Sequence, residues 1–149
     1  MERQLIFRDI EVSDYESSKT LLSFLTKECE TFSLETFTKV CSSLNSNHRI
    51  ICCFYSDIEA ETIQLVAMGT ILIENKLIHN CSCVGHIEDV VVHEKYRNMK
   101  LGKTLIDHLV NVARQKGVYK VILNCSKTNV EFYEKCGFHN SNVEMRINI

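Results

Sequence analysis

The amino-acid sequence predicts an α/β fold of the α+β type, with a mixed, mostly antiparallel sheet and helices on both faces. The first observation is a strand–helix–strand unit, in which the β-rich segment Val84–Val92 is followed by an amphipathic helix over Leu101–Lys116 and a second β-rich segment, Tyr119–Cys125. Such a crossover joins parallel strands. The second observation is a pair of β-rich segments, Arg49–Tyr55 and Ile63–Ile73, whose short polar connection predicts an antiparallel hairpin.

The N-terminal half contributes a strand, two helices and the hairpin. Leu5–Arg8 is a short β-rich segment that predicts the first strand. Ser13 is predicted to cap the first helix, because Glu16 stands three residues later and completes a capping box. Ser33 is predicted to cap the second helix. The polar segment Asp57–Glu61 is the predicted hairpin loop.

The C-terminal half is marked by glycines that end helices. Gly117 follows the helix of the crossover, and Gly137 follows a short helix that Asn129 or Thr128 caps. Polar and apolar residues alternate over Val143–Ile149, which predicts a final strand.

Composition limits the possible functions. A chain of 149 residues with 45% hydrophobic residues is expected to form one domain over residues 1–149. The net charge of −2 gives no basic surface for nucleic acid, and no apolar run approaches the length of a membrane-spanning helix. The first residues lack the apolar stretch of a signal peptide, so a cytoplasmic protein is expected.

Eight cysteines allow two interpretations. His79, Cys81, Cys83 and His86 are near one another in sequence and could line a zinc site. Their spacing matches no common zinc motif, and a reduced compartment is expected without a signal peptide. We therefore expect no metal and interpret most cysteines as small buried apolar residues.

A basic loop precedes the helix of the crossover. Its Arg97, Lys100 and Lys103 carry positive charge, Gly102 allows close backbone approach, and a helix N-terminus favours an anion such as a pyrophosphate. The alternative is an ordinary basic helix start.

Two carboxylates and one phenol are further candidates. Glu88 and Asp89 interrupt an apolar strand, and adjacent strand residues are expected to point to opposite faces, so that at least one carboxylate needs a cation such as a substrate ammonium. A salt bridge to a nearby Lys or Arg is the alternative. Tyr133 could donate a proton to a leaving thiolate, or could simply be a packed aromatic residue.

Together these segments resemble the GNAT family of acetyltransferases, and within it the group that acetylates glucosamine 6-phosphate. Arg97–Lys103 resembles the R/Q-x-x-G-x-G/A loop for acetyl-CoA, and Asn129–Phe138 resembles the N-x-x-x-Y-x-K-x-G-F segment. Gly85–Val92 is the most specific match. The segments Lys76–His79, Tyr119–Leu123 and Val143–Met145 add to the resemblance, which is strong over residues 65–149 and loose before them.

The resemblance implies a GNAT fold, acetyl-CoA as co-substrate without a metal, and a homodimer whose C-terminal strand contributes to the partner's site. The implied coenzyme-binding residues are Val90, Val91, Val92, Arg97, Asn98, Met99, Lys100, Leu101, Gly102, Lys103, Asn124, Cys125, Ser126, Asn129 and Tyr133. The implied sugar phosphate site comprises Thr26, Lys76, Leu77, Ile78, His79, Glu88, Asp89, Tyr119 and Lys120. The implied catalytic residues are Tyr133, Glu88, Asp89 and Asn124.

The implied reaction is direct transfer from acetyl-CoA to the 2-amino group of glucosamine 6-phosphate, a step toward UDP-N-acetylglucosamine. Glu88 or Asp89 would position the amine, a backbone N–H near Val91 would polarise the thioester carbonyl, and Tyr133 would protonate the CoA thiolate. Alternatives are a GNAT enzyme for another amine, a non-catalytic acetyl-CoA-binding regulator, and a cysteine nucleophile, for which no Cys–His arrangement is evident.

The sequence departs from the family pattern at several positions. Asn98 and Lys100 stand where glycine is common, and Asn124 stands where Asp or Glu is common. Asn148 stands near a position where an arginine often meets the sugar phosphate, and Arg146 is a candidate replacement.

Overall fold

A five-stranded mixed sheet forms the centre of the protein. The structure is a computed structural model that describes residues 3–26, 32–57 and 60–149. The strands lie in the order of the chain, and the β1–β2, β2–β3 and β3–β4 pairs are antiparallel whereas β4–β5 is parallel. The predicted mixed sheet and parallel crossover are therefore confirmed. The strands are β1 (Arg3–Asp9), β2 (His48–Asp57), β3 (Thr62–Asn75), β4 (Cys83–Val92) and β5 (Lys120–Ile122).

Helices connect the strands and cover the sheet. They are α1 (Tyr15–Leu22), α2 (Leu34–Ser43), α4 (Leu101–Gln115) and α5 (Val130–Lys135), and the short α3 (Ile78–Cys81) is a single exposed turn in which His79, Asn80 and Cys81 have left-handed φ values of 52°, 59° and 55°. Single 3-10 segments precede α1, α4 and α5, at Val12–Asp14, Glu94–Met99 and Lys127–Asn129. No helix of the described residues combines the length and the apolar character that crossing a membrane requires.

The helix ends largely follow the predicted caps. Ser33 caps α2, since its hydroxyl accepts a 3.1 Å hydrogen bond from the Thr36 N–H. Gly117 and Gly137 follow α4 and α5 with φ of 74° and 93°, a backbone conformation that suits glycine. The predicted cap at Ser13 is wrong, because the N-cap of the first turn is Glu11, two residues earlier, and the Asp14 carboxylate accepts a 2.8 Å bond from the Glu11 N–H.

The two faces of the sheet carry separate apolar cores. On one face, the buried side of α4, including Leu105 and Leu109, packs against residues such as Ile71 and Ile87. On the other face, Leu21 of α1 and Phe37 of α2 belong to a second cluster. This arrangement confirms helices on both faces of the sheet.

Two strand predictions differ from the structure at the C-terminal side. The strand predicted over Tyr119–Cys125 is shorter, because β5 ends at Ile122, where its pairing with His86 of β4 ends. The strand predicted over Val143–Ile149 is wrong for the single chain, since residues 138–149 form no strand. An alternation of polar and apolar residues indicates that a segment could have one polar and one apolar face as a strand. The segment becomes a strand only where it can pair with the edge of a neighbouring strand.

Candidate active site

A cavity of about 630 Å³ lies where β4 and the chain after β5 separate. The two strands pair only through Val84–His86 and Lys120–Ile122, so the segments that follow on each side diverge. This divergence opens the sheet between two parallel strands at their carboxyl ends, where ligands commonly bind in α/β proteins. The lining residues are Leu25, Thr26, Ile87, Glu88, Asp89, Val90, Asn124, Cys125, Ser126, Asn129, Tyr133, Glu144 and Arg146.

A β-bulge shapes the β4 side of the cavity. Thr70 of β3 pairs with Glu88 and Met68 pairs with Val91, so two residues of β4 stand opposite one of β3. Asp89 has a φ of 50°, a left-handed value that extended strands do not use. The bulge therefore inserts one residue into the alternation of β4.

The inserted residue reverses which β4 side chains face α4. Before the bulge, Ile87 belongs to the α4 core, whereas after it Val90 and Val92 pack there. Val91 lies in the opposite core with α1. The odd-numbered residues face α4 before the bulge and the even-numbered ones after it, because the bulge shifts the period by one.

Glu88 and Asp89 stand at this reversal and both line the cavity. The prediction that they point to opposite faces assumed an unbroken alternation, which the bulge interrupts. Both residues are exposed, so neither carboxylate occupies the desolvated environment that the apolar sequence run suggested. The site presents two carboxylates together, an arrangement that suits an ammonium group.

Tyr133 projects from α5 into the same cavity. Its ring packs edge-on against Phe132 and Phe138, at centroid distances of 5.0 and 6.0 Å. Burial is the main cause that raises the pKa of the Tyr133 phenol above its ordinary value, and the nearby thiols and the Glu88 carboxylate raise it further. The phenol therefore keeps its proton at neutral pH, as a proton donor must.

The loop before α4 has a backbone conformation that explains the glycine of the family pattern. Lys100, which precedes the first residue of α4, has a φ of 59°. That left-handed conformation is readily adopted by glycine and costs other residues about 1 kcal/mol or more. The first N–H groups of the following α4, a helix of 15 residues, have no acceptors within the helix and are directed toward any ligand at its N-terminus.

Two of the three cations in this loop have protein partners. Arg97 donates to the backbone carbonyls of Val92 and Phe24, each at 3.4 Å, and thereby links β4 to the segment after α1. Lys103 forms a 2.7 Å ion pair with Asp107 on the next turn of α4. Two of the basic side chains of the loop are thus engaged in contacts within the protein.

Gly102 lies in close contact with α5. A Cβ atom at this position would lie 3.0 Å from the Cζ atom of Phe132 on α5, so the Phe132 ring would have to shift to accommodate a larger residue. The sequence interpretation assigned this glycine to close approach of a ligand, and the structure adds a close contact within the protein.

The residues predicted for the sugar phosphate fall into two groups. Thr26, Glu88 and Asp89 line the cavity. Lys120 pairs with Val84, four residues before Glu88, which corresponds to about 13 Å along a strand. The remaining members of the second group gather near Lys120 at that distant end: Lys76, Leu77, Ile78, His79 and Tyr119.

The second group has local contacts of its own. Lys76 forms a 2.5 Å ion pair with Glu74, and the His79 ring lies 4.3 Å from the Tyr119 ring. Leu77 is almost fully exposed and Ile78 largely so. Within one chain, this group does not reach the cavity.

The cysteines and histidines considered for zinc have other contacts. His86 pairs with Glu74 at 2.7 Å, and the Cys83 thiol contacts the Lys116 carbonyl. Among the described residues, no three His, Cys, Asp or Glu side chains are grouped so as to hold a metal ion. Burial raises the pKa of the Cys52 and Cys53 thiols to about 12, so these two remain protonated and unreactive at neutral pH.

Three cavity residues were absent from the predicted set, namely Leu25, Ile87 and Glu144, and a fourth, Arg146, was predicted only as a candidate replacement for a phosphate-binding arginine. Arg146 donates a 2.6 Å hydrogen bond to Glu144, and both face the cavity. Their spacing of two in an alternating segment is a signal that the sequence contained, although both side chains are exposed, as are odd-numbered neighbours such as Met145. Leu25 and Ile87 carry no comparable sequence signal, because apolar residues line cores and cavities alike.

Comparison of the sequence with known proteins identifies a matching family and several similar proteins. Residues 9–138 match the Acetyltransferase (GNAT) family. The chain is 43% identical over 90 residues to glucosamine 6-phosphate N-acetyltransferase 1 of Dictyostelium discoideum, covering 60% of this chain and 57% of that protein. It is 51% identical over 81 residues to the glucosamine 6-phosphate N-acetyltransferase of Candida albicans, covering 54% of each. The matched region thus spans little more than half the length of these curated relatives.

A solved structure agrees over a longer stretch. The crystal structure of glucosamine-6-phosphate N-acetyltransferase from Arabidopsis thaliana is similar with a TM-score of 0.80 and 34% sequence identity. The similarity covers 97% of this chain and 98% of that one. The five strands and their crossover therefore have the same arrangement as in a known GNAT protein.

Proposed function

Because this chain belongs to the GNAT family of acetyltransferases, we propose that it transfers the acetyl group of acetyl-CoA to the 2-amino group of glucosamine 6-phosphate. The products are N-acetylglucosamine 6-phosphate, a precursor for UDP-N-acetylglucosamine, and CoA. The observation that carries the proposal is the cavity in which Glu88, Asp89 and Tyr133 meet. The names of the similar proteins support the choice of substrate.

Acetyl-CoA suits the opening between β4 and β5. Its pantetheine arm is expected to lie beside Val90–Val92, with the acetyl group close to Asn124, Cys125 and Ser126 on the other side. The N-terminus of α4 and the preceding Asn98–Lys100 would receive the pyrophosphate, because helix N-H groups and the side chain of Lys100 both favour an anion.

The two carboxylates and the phenol divide the chemistry between them. Glu88 and Asp89 hold the substrate amine beside the thioester, which makes the reaction intramolecular in effect. The backbone N–H of Val91 polarises the thioester carbonyl, and Tyr133 protonates the departing thiolate. The raised pKa of Tyr133 supports this role, because the phenol carries its proton when the thiolate forms.

We further propose that the phosphate is bound by a second copy of the chain. Lys76, His79 and Lys120 lie too far along the sheet to contact a sugar held by Glu88 of the same chain. Two features support a homodimer. Leu77 is 92% exposed beside these residues, and among the described residues no strand covers the outer edge of β5. An unpaired edge of this kind is commonly covered by another chain.

A thiol-release assay tests the function. Purified protein is incubated with acetyl-CoA and with glucosamine 6-phosphate, glucosamine, other amino sugars or peptide N-termini, and free CoA is measured. We expect turnover with glucosamine 6-phosphate and much weaker turnover with glucosamine, because Lys76, His79 and Lys120 provide a phosphate site. Equal efficiency on both sugars contradicts the phosphate role. Binding of acetyl-CoA without turnover on any amine would instead indicate a regulator.

A further inference from the structure

A histidine–carboxylate pair lies on the sheet beside the catalytic cavity. The His86 Nε2 atom is 2.7 Å from one carboxylate oxygen of Glu74, and the Lys76 ammonium is 2.5 Å from the other. The Lys76 ammonium and His86 hold the pKa of Glu74 below its ordinary value, so this carboxylate is ionised at neutral pH. The pair was not recognisable from the sequence, since Glu74 and His86 stand on different strands.

His86 shares a face of β4 with Glu88. His86 pairs with Leu72 and Glu88 pairs with Thr70, and both lie before the bulge, where even-numbered residues face away from α4. Residues two apart on a strand lie about 7 Å apart with their side chains on the same side. Glu88 lines the cavity, so His86 is its neighbour on the side away from Tyr133.

Glu74 determines which nitrogen of His86 carries the proton. An ionised carboxylate only accepts hydrogen bonds, so Nε2 donates to Glu74 and Nδ1 of the neutral ring is left as an acceptor. A carboxylate that orients an imidazole in this way also stabilises the imidazolium that forms when Nδ1 gains a proton. The arrangement is that of a base.

The described residues that line the cavity include no histidine. The Asn124 side chain cannot accept a proton, and the Tyr133 phenol keeps its proton at neutral pH because burial raises its pKa. Other described histidines are placed differently. His93 is buried against Phe24, and His108 stacks on Phe7 on the α4 side, where burial and Arg49 lower its pKa.

We propose that His86, oriented by Glu74, accepts the proton that the substrate ammonium loses before it attacks acetyl-CoA. The proton leaves the nitrogen, passes through Glu88 or a water molecule to Nδ1, and is released from the imidazolium to solvent. The neutral nitrogen then forms the C–N bond as the C–S bond breaks. Tyr133 protonates the thiolate, and the second nitrogen proton returns through solvent to the phenolate. No oxidant or further reactant is needed.

His86 acts through Glu88 and is thus a positioning residue rather than a catalytic one. The charged groups that face it are Glu74 and Lys76 from β3 and its end, Glu88 on β4 and, by register, Lys120 on β5. Glu144 and Arg146 form a pair at the cavity beyond Glu88. Asp89 lines the same cavity, so this set comprises four carboxylates and three cations.

The test is the pH dependence of kcat/KM for glucosamine 6-phosphate, measured between about pH 6 and pH 9, where imidazole and amine titrate. We expect His86→Gln to lower kcat/KM about 10²-fold near neutrality, in line with general base contributions. The deficit should shrink as pH rises, because the amine then loses its proton unaided. Glu74→Gln should give a smaller deficit of the same shape, and acetyl-CoA binding should be unchanged in both.

The exposed His139 provides the matched control, and His139→Gln should reproduce the wild-type profile. If log kcat/KM of His86→Gln runs parallel to that of wild type across pH, so that the deficit is equal at every pH, the inference is overturned and the proposed function is left intact. If His86→Gln does not fold, Glu74→Gln decides by the same criterion. The inference rests on the proposed acetyl transfer, so a wild-type protein that acetylates no amine overturns both.

Discussion

A substitution at Tyr133 tests whether this side chain protonates the CoA thiolate. Burial raises the pKa of the phenol, so the proton donor persists beyond neutral pH. Replacing it in Tyr133→Phe should lower kcat by about 10²–10⁴-fold, the range for general acids. Acetyl-CoA affinity should change little, since the ring still packs against Phe132 and Phe138.

Steady-state kinetics and calorimetry with acetyl-CoA measure the two quantities. Tyr96→Phe is the matched control, because the Tyr96 hydroxyl bonds Gln64 outside the cavity. An unchanged kcat in Tyr133→Phe, with chemistry as the slow step, contradicts the role.

Substitutions at Asn124 test whether this residue acts through its side chain or through its backbone carbonyl. The residue lines the cavity after β5, and its amide cannot accept a proton. We expect residue 124 to help orient the amine through its backbone carbonyl, which both variants keep, so Asn124→Ala should retain most activity and Asn124→Asp should bring little gain. Kinetics on the folded variants measure this. A loss near 10³-fold in Asn124→Ala would assign the role to the side chain, and a large gain in Asn124→Asp would show that a carboxylate base is missing here.

The start of α4 combines a backbone effect with a charge effect. Lys100 has a φ of 59°, so Lys100→Gly should raise the free energy of unfolding by about 1 kcal/mol through relief of the left-handed conformation. Lys100→Ala keeps that conformation and should give no such increase. Both changes remove the charge, so both should weaken acetyl-CoA binding similarly. Thermal unfolding and calorimetry distinguish the effects, and equal Tm values for the two variants would contradict the backbone explanation.

The start of α1 is held by an ion pair between the buried Asp14 and the partly exposed Arg8. Asp14 accepts hydrogen bonds from Arg8 at 2.7 and 2.8 Å. Burial opposes ionisation of Asp14, but these bonds, the Glu11 N–H and the Arg8 charge lower its pKa below the ordinary value. A lowered pKa in the folded state stabilises the fold above the ordinary pKa of about 3.9, and this stabilisation disappears as pH falls through the folded value.

Asp14→Asn should therefore lower the free energy of unfolding at neutral pH by about 2 kcal/mol, as for a lost hydrogen bond to a charged group. It should also flatten the fall in stability below about pH 4. Denaturant unfolding across pH measures both. Glu16→Gln is the control, since that carboxylate is largely exposed beside Lys19. A steep acid limb that persists in Asp14→Asn would show that other carboxylates cause it.

The whole molecule presents an apolar row that a single chain does not bury. Val143, Met145, Ile147 and Ile149 alternate with Glu144 and Arg146, and they are among the most exposed apolar residues described. Deleting residues 143–149 should abolish both dimer and activity. The double variant Met145→Lys, Ile147→Lys is sharper, because it retains the two cavity residues. Ultracentrifugation should show a monomer, whereas Ile63→Lys, at another exposed apolar site, should remain a dimer. A fully active monomer contradicts the shared site.

Complementation tests the sharing directly. Glu88→Gln and Lys120→Ala should each inactivate homodimers, but mixed dimers should regain one intact site, composed of Glu88 from one chain and Lys120 from the other. Failure of mixed dimers to regain activity would show that both residues serve a site within one chain.

Much of the fold was predictable because its signals are local. Ser33, Gly117 and Gly137 end or begin helices through bonds and φ values that involve only nearby residues. The amphipathic period of α4 and the apolar β4 run predicted the parallel crossover, which the β4–β5 register confirms. The assignments of residues to coenzyme and sugar remain predictions.

The sequence by itself determined the order of strands and helices apart from α3 and the C-terminal segment, together with the crossover and the residue types available for chemistry. Only the tertiary structure decided how those residues meet. The bulge at Asp89 arises from the register between β3 and β4, and it brings Glu88 and Asp89 to one cavity although strand alternation separates them. Likewise, Glu74 and His86 meet across two strands, and Lys120 lies far from Glu88. Periodicity reports the direction of each side chain along one segment, whereas contacts depend on the register between segments, which a single period does not specify.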